Sequence, residues 1–452
     1  LSPLEKGGSR GISPVINTQS MIKSITLTIV TLIFLSGNRS FSQTNLTITD
    51  AINIALKNNY DIKVIKGNEE VAKLTNHWGT AGRYPSINFN VGSLNTWDNN
   101  EQDDFRQNIV AGGVALNWMI FNGFSVNITK AKLNDLERLS KGGTVVVVEG
   151  TVQSVTLAYY KVLLDKQSLD VLGVLMKLSK DRYDYEKVKQ DIGSSVTFQV
   201  LQAQNSYLVD KANFISQEVN LKKSMRDLNF LMGEKKSEEW IFPDTFEPEI
   251  KEYVLSELMD KLMSNNNTLK NQFINQSILE REIALSKSSY YPSLSLNTGI
   301  EGNNLNKQFD TSGDLNTNSW NYFGNVTLNY NLYSGGVRNR AVKIAKINED
   351  IGNIDIESLK HTLSNDLLNL YEFYEVRQEL LDVATEAVEA AELNMQIAEE
   401  KFKNGSINSF NFRDVQLIYL NAALGRLQAI FSLVESDISL TRITGGIITE
   451  LE

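Results

Sequence analysis

The sequence predicts an α+β membrane protein built from one unit written twice, each copy a helix, a β-hairpin, a very long helix, a turn and a return helix. Three observations predict it: an alternating strand pattern too long for a soluble sheet, an internal repeat, and two long stretches without proline.

The alternation is clearest from Trp320 to Gly336, WNYFGNVTLNYNLYSGG. Trp320, Tyr322, Val326, Leu328, Tyr330 and Leu332 fall on one face and Asn321, Asn325, Thr327, Asn329 and Asn331 on the other, a period of two. Strands of soluble sandwiches run to about five or six residues, whereas about 9 to 11 tilted residues cross a bilayer. The apolar face is therefore expected against lipid and the asparagines against water, with Trp118, Trp320, Tyr322 and Tyr330 as membrane-interface aromatics.

The repeat is read from short echoes. Leu56 to Lys63, LKNNYDIK, returns as Met263 to Lys270, MSNNNTLK, and Tyr84-Pro85-Ser86-Ile87 returns as Tyr291-Pro292-Ser293-Leu294, both displaced by 207 positions. Trp118 to Gly123 matches Tyr330 to Gly335, and Gly193-Ser194 matches Gly405-Ser406, displaced by 212. One insertion between the matched segments accounts for the difference, and that interval reads as a hairpin in both copies, 84–121 and 291–333. The polar connections, Asp98 to Gln107 and Gly302 to Asn318, are expected as the loops, where insertions are tolerated.

The helices follow from capping, proline placement and heptads. Thr47-Ile48-Thr49-Asp50 fits a capping box opening a helix that runs towards Trp78, with a counterpart from about Val254 to Ser289. Phe124 to about Gln190 and Val337 to about Asn404 contain no proline, and each makes a helix of roughly 100 Å. Val148, Val152, Val155, Tyr159 and Val162, and again Leu363, Leu367, Leu370 and Tyr374, alternate steps of four and three, the spacing of a coiled-coil seam. Gly142, Gly143 and Gly150 are expected to mark a bend. Gly193 and Gly405 end the long helices in tip turns, followed by return helices to Met232 and Thr444. The organisation is then a leader and signal peptide at 1–42, a first repeat at 43–232, a linker at 233–250 and a second repeat at 251–452. Lys23, the apolar run Ile25 to Leu35 and Ser40-Phe41-Ser42 carry the signal-peptide reading.

Composition narrows the function. No run of 18 apolar residues is present, so no transmembrane helix is expected and any span must be made by strands. The absence of cysteine excludes a disulfide framework, a thiolate metal site and a lipid-bearing cysteine. The formal charge of −10 argues against a nucleic-acid-binding face. No phosphate-cradling glycine loop, HExxH or nucleophile elbow occurs, His77 and His361 sit at non-equivalent positions, and Glu69-Glu70 and Glu399-Glu400 read as solvated faces. No enzyme activity, cofactor or metal site is expected. Four strands cannot close a barrel, and open edges are forbidden in lipid, so the chain must oligomerise: two copies give 8 strands, three 12 and four 16.

The order and duplication of Leu46 to Lys63, the two Tyr-Pro-Ser junctions, the aromatic-to-glycine exits Trp118 to Gly123 and Tyr330 to Gly336, and the turns Gly193 to Gln204 and Gly405 to Gln416 resemble the TolC family of outer-membrane efflux proteins. The resemblance implies a homotrimer in the outer membrane. It forms a 12-stranded β-barrel continuous with a long periplasmic helical barrel, opened at its tip by a periplasmic adaptor (membrane fusion protein) and fed by an inner-membrane transporter. It also implies a gate at two acidic positions six and nine residues past the second turn glycine. Here these are Asn411, which departs, and Asp414, which matches; the first-copy acidic position of a closed-state lock is Gln199. Three Asp414 carboxylates brought together would attract cations. The function expected is a passive exit duct of a tripartite efflux or type I secretion system. The rival is a trimeric coiled-coil surface stalk or adhesin, which has no need of a second hairpin-bearing copy.

Overall fold

The computed structural model describes residues 44–99, 104–234, 240–310 and 313–447, in two compact units. The signal-peptide and leader expectations lie outside the described residues. In the first unit, β1 (Thr44–Asn45) pairs in parallel with β4 (Trp240–Ile241), and the Leu46 N–H donates to the Ile241 carbonyl at 2.9 Å.

The second unit holds the remaining elements. In chain order they are α1 (Ile48–Asn58), α2 (Tyr60–Thr75), β2 (Ser86–Asp98), β3 (Phe105–Asn122), α3 (Ser125–Asp191), α4 (Thr197–Met232), α5 (Leu255–Asn265), α6 (Asn267–Ser288), β5 (Ser293–Phe309), β6 (Leu315–Asn329), α7 (Val337–Lys403) and α8 (Ser409–Ile443). The strands form one antiparallel sheet in the order β2-β3-β5-β6. Beside the hairpins the helices lie in the order α2, α3, α6, α7; towards the turns the order is α4, α3, α8, α7. The long helix α3 therefore joins the two repeats over its whole length.

The capping box is present, with Thr47 Oγ1 accepting from Asp50 N and Asp50 reaching back to Thr47 N. The helix it opens is not continuous to Trp78. It breaks at Asn59, whose side-chain oxygen accepts from Asp61 N (2.8 Å) and Ile62 N (3.1 Å) while its amide donates to the Leu231 carbonyl (2.8 Å). The second copy breaks at Asn266 in the same way, accepting from Leu269 N and donating to the Ile443 carbonyl, both at 2.9 Å. Each buried asparagine caps one helix start and one helix end, satisfying groups that a continuous helix would not expose. Gly233 and Gly445 follow in the left-handed region, where a Cβ would lie 2.5 and 2.7 Å from the Asn58 and Asn265 carbonyls. Replacing Asn266 by alanine is expected to cost about 2–3 kcal/mol, the lost cap plus an unpaired buried carbonyl. Thermal unfolding measures this, and an unchanged midpoint would assign the break to another residue.

Gly142, Gly143 and Gly150 do not interrupt the helix, and α3 runs unbroken for 67 residues. Gly142 serves a close approach: a Cβ there would fall 1.7 Å from Asn271 Oδ1 on α6. The heptad residues Val152, Val155, Tyr159 and Val162, and Leu367 and Tyr374, are buried. By length and composition α8 is apolar enough to cross a membrane, with a mean hydropathy of 1.5 in its most apolar stretch. It is packed on α7 and α3, with Leu427, Ile430, Leu433, Val434 and Leu440 buried.

The stretch that follows Phe242 is strapped to the helices. Asp244 accepts from Tyr159 Oη (2.6 Å) and Ile48 N (2.9 Å), Glu247 pairs with Arg426 (3.0 Å), and Tyr374 Oη bonds both the N–H and the carbonyl of Lys251 (2.9 and 2.8 Å). Burial first, then the Asp244 carboxylate, push the Tyr159 hydroxyl above the ordinary tyrosine range, so it remains a donor at any physiological pH.

The strands reach further than their apolar alternation. Gly302 to Asn318 was expected as a loop, yet β5 continues to Phe309 and β6 starts at Leu315. Asparagines pair across this extension, Asn304 Nδ2 to Asn318 Oδ1 at 2.6 Å and Asn108 to Asn95. Along 302–309 and 315–318 the apolar residues are reduced to Leu305, Phe309 and Leu315, too sparse to show a period of two, which is why the pattern did not show the extension. At the other end β6 stops at Asn329, so Tyr330 and Leu332 stand beyond it.

Candidate functional site

The two faces of the sheet differ in chemistry. On the apolar face, paired rows run Ile87-Leu116-Thr298, Phe89-Val114-Ile300-Tyr322 and Trp118-Leu296-Val326, and Trp320 covers Gly302 with its ring 3.0 Å from where a Cβ would stand. Trp320, Tyr322, Val326 and Leu328 are exposed. Past Trp320 the face turns polar at Asn304, Asn306, Asn316 and Asn318, so the apolar band has a definite upper edge. Trp118 lies at the other edge, its indole N–H donating to the Arg83 carbonyl at 3.0 Å, and Tyr330 is exposed beyond β6.

The opposite face carries Asn117, Asn297 and Asn325 in one row, with Asn297 Nδ2 donating to Asn117 Oδ1 at 2.5 Å, and Asn90, Gly113, Glu301 and Asn321 in another. Two features of this face were not legible in the alternation. Phe323 lies across Gly299, and Leu94, Ile109 and Leu305 form an apolar row.

Each hairpin passes into its long helix through two consecutive left-handed residues, Gly123-Phe124 and Gly335-Gly336, with φ of 63° and 69°, then 60° and 77°. Phe124 adopts a conformation that β-carbon-bearing residues resist, held edge-on between Phe121 (5.1 Å) and Tyr291 (5.7 Å). At Gly123 a Cβ would stand 2.2 Å from the Ser288 carbonyl oxygen, which reserves the position for glycine.

At the far end, Gly193 (φ 77°) and Gly405 (φ 72°) close α3 and α7. Asn411 gives its backbone N–H to the Asn408 cap at 2.8 Å, leaving its side chain exposed, and Asp414 is exposed. Arg413, next to Asp414, is turned away from it and makes a two-pronged pair with Asp210 at 2.6 and 2.8 Å. Gln199 accepts from Ser195 Oγ at 2.8 Å, and the same hydroxyl lies 2.7 Å from the Glu186 carboxylate.

Below these turns is a buried polar cluster that the sequence reading missed. Asp210 is 1% exposed, Arg182 and Glu186 3% each and Gln416 0%. Arg182 Nη1 donates to the Ser409 carbonyl at 3.0 Å, but its Nε and Nη2, and both side-chain polar atoms of Gln416, have no partner among the described residues. Burial, and then the neighbouring Arg413 charge, bring Arg182 down to about 10. The one signal available in sequence was charge at a core position of the heptad. Aromatic packing surrounds the cluster, with Phe402 stacked on Phe412 at 4.7 Å and Tyr185 edge-on at 5.2 Å. No group of His, Cys, Asp or Glu suited to a metal ion is present among the described residues.

A family model for outer membrane efflux proteins matches residues 51–234 and 258–446. The chain belongs to the outer membrane efflux protein family. Among solved structures it is similar to CusC (14% identity over 88% of this chain and 92% of that one, TM-score 0.71) and to the Campylobacter jejuni CmeC outer membrane channel (15%, 88% and 85%, 0.72). The open state of the Neisseria gonorrhoeae MtrE outer membrane channel is likewise similar (14%, 88% and 89%, 0.69). At these identities the likeness is one of fold. No curated protein sequence matches the chain.

As a member of this efflux family, the protein is an outer-membrane channel component with a large periplasmic helical portion, and its fold is the duplicated helix-hairpin-long helix-helix unit. The family is one of transport ducts.

Proposed function

We propose that three copies assemble into a passive exit duct, the outer-membrane part of a tripartite efflux or type I secretion system. A periplasmic adaptor and an inner-membrane transporter deliver its cargo, and no chemistry is performed on the chain. The observation that carries the reading is the sheet β2-β3-β5-β6, an amphipathic, bilayer-length sheet with both edge strands unpaired among the described residues. Edges in lipid must be paired, and three four-stranded sheets make the 12-stranded barrel of the family this chain resembles. In this reading residues 43–232 and 251–452 are the two repeats joined by 233–250, and 1–42 are removed on export. Trp118, Trp320, Tyr322 and Tyr330 meet the membrane interfaces, Gly193 and Gly405 turn the chain at the tip, and Asp414 and Asn411 line the gate.

Purified protein in planar bilayers tests the duct. Steady single-channel conductance is expected, and a protein that stays monomeric and forms no pore would return the stalk reading. For the gate, Asp414→Asn removes one carboxylate from each copy and is expected to weaken block by a trivalent cation at least about tenfold, equivalent to about 1.4 kcal/mol. An unchanged block places the constriction elsewhere.

A further inference from the structure

Above its apolar band the sheet carries a polar hollow that neither the duct nor the gate uses. We propose that this hollow, lined by Asn95, Trp97, Arg106, Asn108, Asn306 and Gln308, binds the phosphorylated sugar headgroup of an outer-leaflet glycolipid. Such a site requires that the apolar face of the sheet meet lipid, as in the duct reading, and requires nothing of the gate.

Strand register places the hollow. Its residues share the face of Phe89, Val114, Ile300 and Tyr322, in the rows Asn95-Asn108-Asn306 and Trp97-Arg106-Gln308. These rows stand four and six residues past the row of Gly302 and Trp320. In strands tilted as in a barrel, that is roughly 10 and 15 Å further along the membrane normal. The long helices leave from the opposite end of the strands and lie in the periplasm, so this end faces outward. The hollow therefore sits where hydrocarbon has given way to headgroups.

Its lining has the chemistry of a sugar phosphate site. The hollow encloses about 160 Å³, space for about five waters. Among the described residues, Arg106 is the only charged side chain on this face of the sheet; it is exposed and has no ion-pair partner. A guanidinium fork matches two phosphate oxygens. Trp97, 75% exposed at the rim, offers an apolar ring to the C–H face of a sugar. Asn95 and Asn108 pair with each other, while the amides of Asn306 and Gln308 bond no other described residue. Those amides can donate to hydroxyls and accept from them.

The opposite face shows that this is not a general polarity of the strand ends. At the same level it carries Leu94, Ile109 and Leu305, with Lys307 over the rings of Phe105 (3.4 Å) and Phe309 (4.7 Å). At this level the asparagines lie on the side that continues the lipid-facing band. A cation would meet Arg106 there, and an acyl chain would meet amides. An anionic headgroup bearing hydroxyls satisfies all the groups present, and its acyl chains continue down the band beside Tyr322 and Val326.

Native mass spectrometry of the full-length protein in detergent, titrated with a short-core lipopolysaccharide, reads the site. Arg106→Gln is expected to weaken binding at least about tenfold, and Trp97→Ala to weaken it as well. Both side chains are exposed, so circular dichroism is expected to match the wild type. Lys307→Gln removes the same charge at the same level from the opposite face and is expected to leave binding unchanged. Removing the lipid phosphates is expected to weaken binding to the wild type but not to weaken Arg106→Gln further, the signature of a direct pair. Equal losses for Arg106→Gln and Lys307→Gln would reduce the effect to net charge and overturn the site. Equal affinity for phosphatidylglycerol would overturn recognition of the sugar. Displacement of the lipid by an equal concentration of its soluble, delipidated oligosaccharide phosphate would overturn the lipid as the source. A protein that conducts in planar bilayers yet gives any of these three results leaves the duct standing.

Discussion

The double substitution Ile347→Asp/Ile354→Asp is expected to leave the protein monomeric in detergent while its individual helices stay folded. Both side chains are exposed in the single chain, at 57% and 67%, so the isolated fold owes them little. At a contact between copies each would bury an isoleucine worth about 1.5–3 kcal/mol, and a carboxylate there would be buried without a partner. The loss per contact is at least about 3 kcal/mol, a weakening of more than about a hundredfold. Native mass spectrometry and circular dichroism read the two halves of this expectation. A double aspartate variant that remains oligomeric would remove these residues from the interface.

Arg413→Ala is expected to loosen the turn end of the helices more than any other single change there. It strands Asp210, 1% exposed, without the two-pronged partner that offsets its desolvation, and breaking one side of a buried pair costs about 3–5 kcal/mol. Arg182, with unpartnered Nε and Nη2 and a charge that already acts on Asp210, can take up part of this loss, which sets the expected cost towards the lower end of that range. A lower thermal midpoint and faster proteolysis near Gly193 and Gly405 are expected, together with a higher mean conductance if this end is the gate. The pair Arg413→Ala/Asp210→Ala should be less damaging than Arg413→Ala alone, since no charge is then left buried. Equal midpoints for the wild type and Arg413→Ala would show the pair to be superficial.

Much of the fold was legible because it rests on periodicity. Trp320 to Leu328 alternates with period two, Val152 to Val162 with steps of three and four, and each pattern reports the environment its residues must bury or face. The duplication was legible because Tyr84-Pro85-Ser86 and Gly193-Ser194 mark turns, where backbone geometry restricts the residue choice. What escaped is where polarity does structural work: Asn59 and Asn266 breaking helices to cap others, asparagines pairing along the extension of β5 and β6, and Gly142 admitting Asn271. A polar residue reads as solvent-facing in a sequence, and only its partners show otherwise.

The candidate site divides in the same way. Gly193, Gly405 and Asp414 could be counted along the chain, since turns and their offsets are local. Arg182, Glu186, Asp210, Arg413 and Gln416 come from α3, α4 and α8, as much as 234 positions apart, and nothing local brings them together. The sequence alone determined the elements, their duplication and the apolar band, because hydrophobic periodicity and turn chemistry act over a few residues. Tertiary structure alone decided which charges are buried and paired, and which apolar stripes are left bare, because burial and pairing depend on what the rest of the chain places opposite.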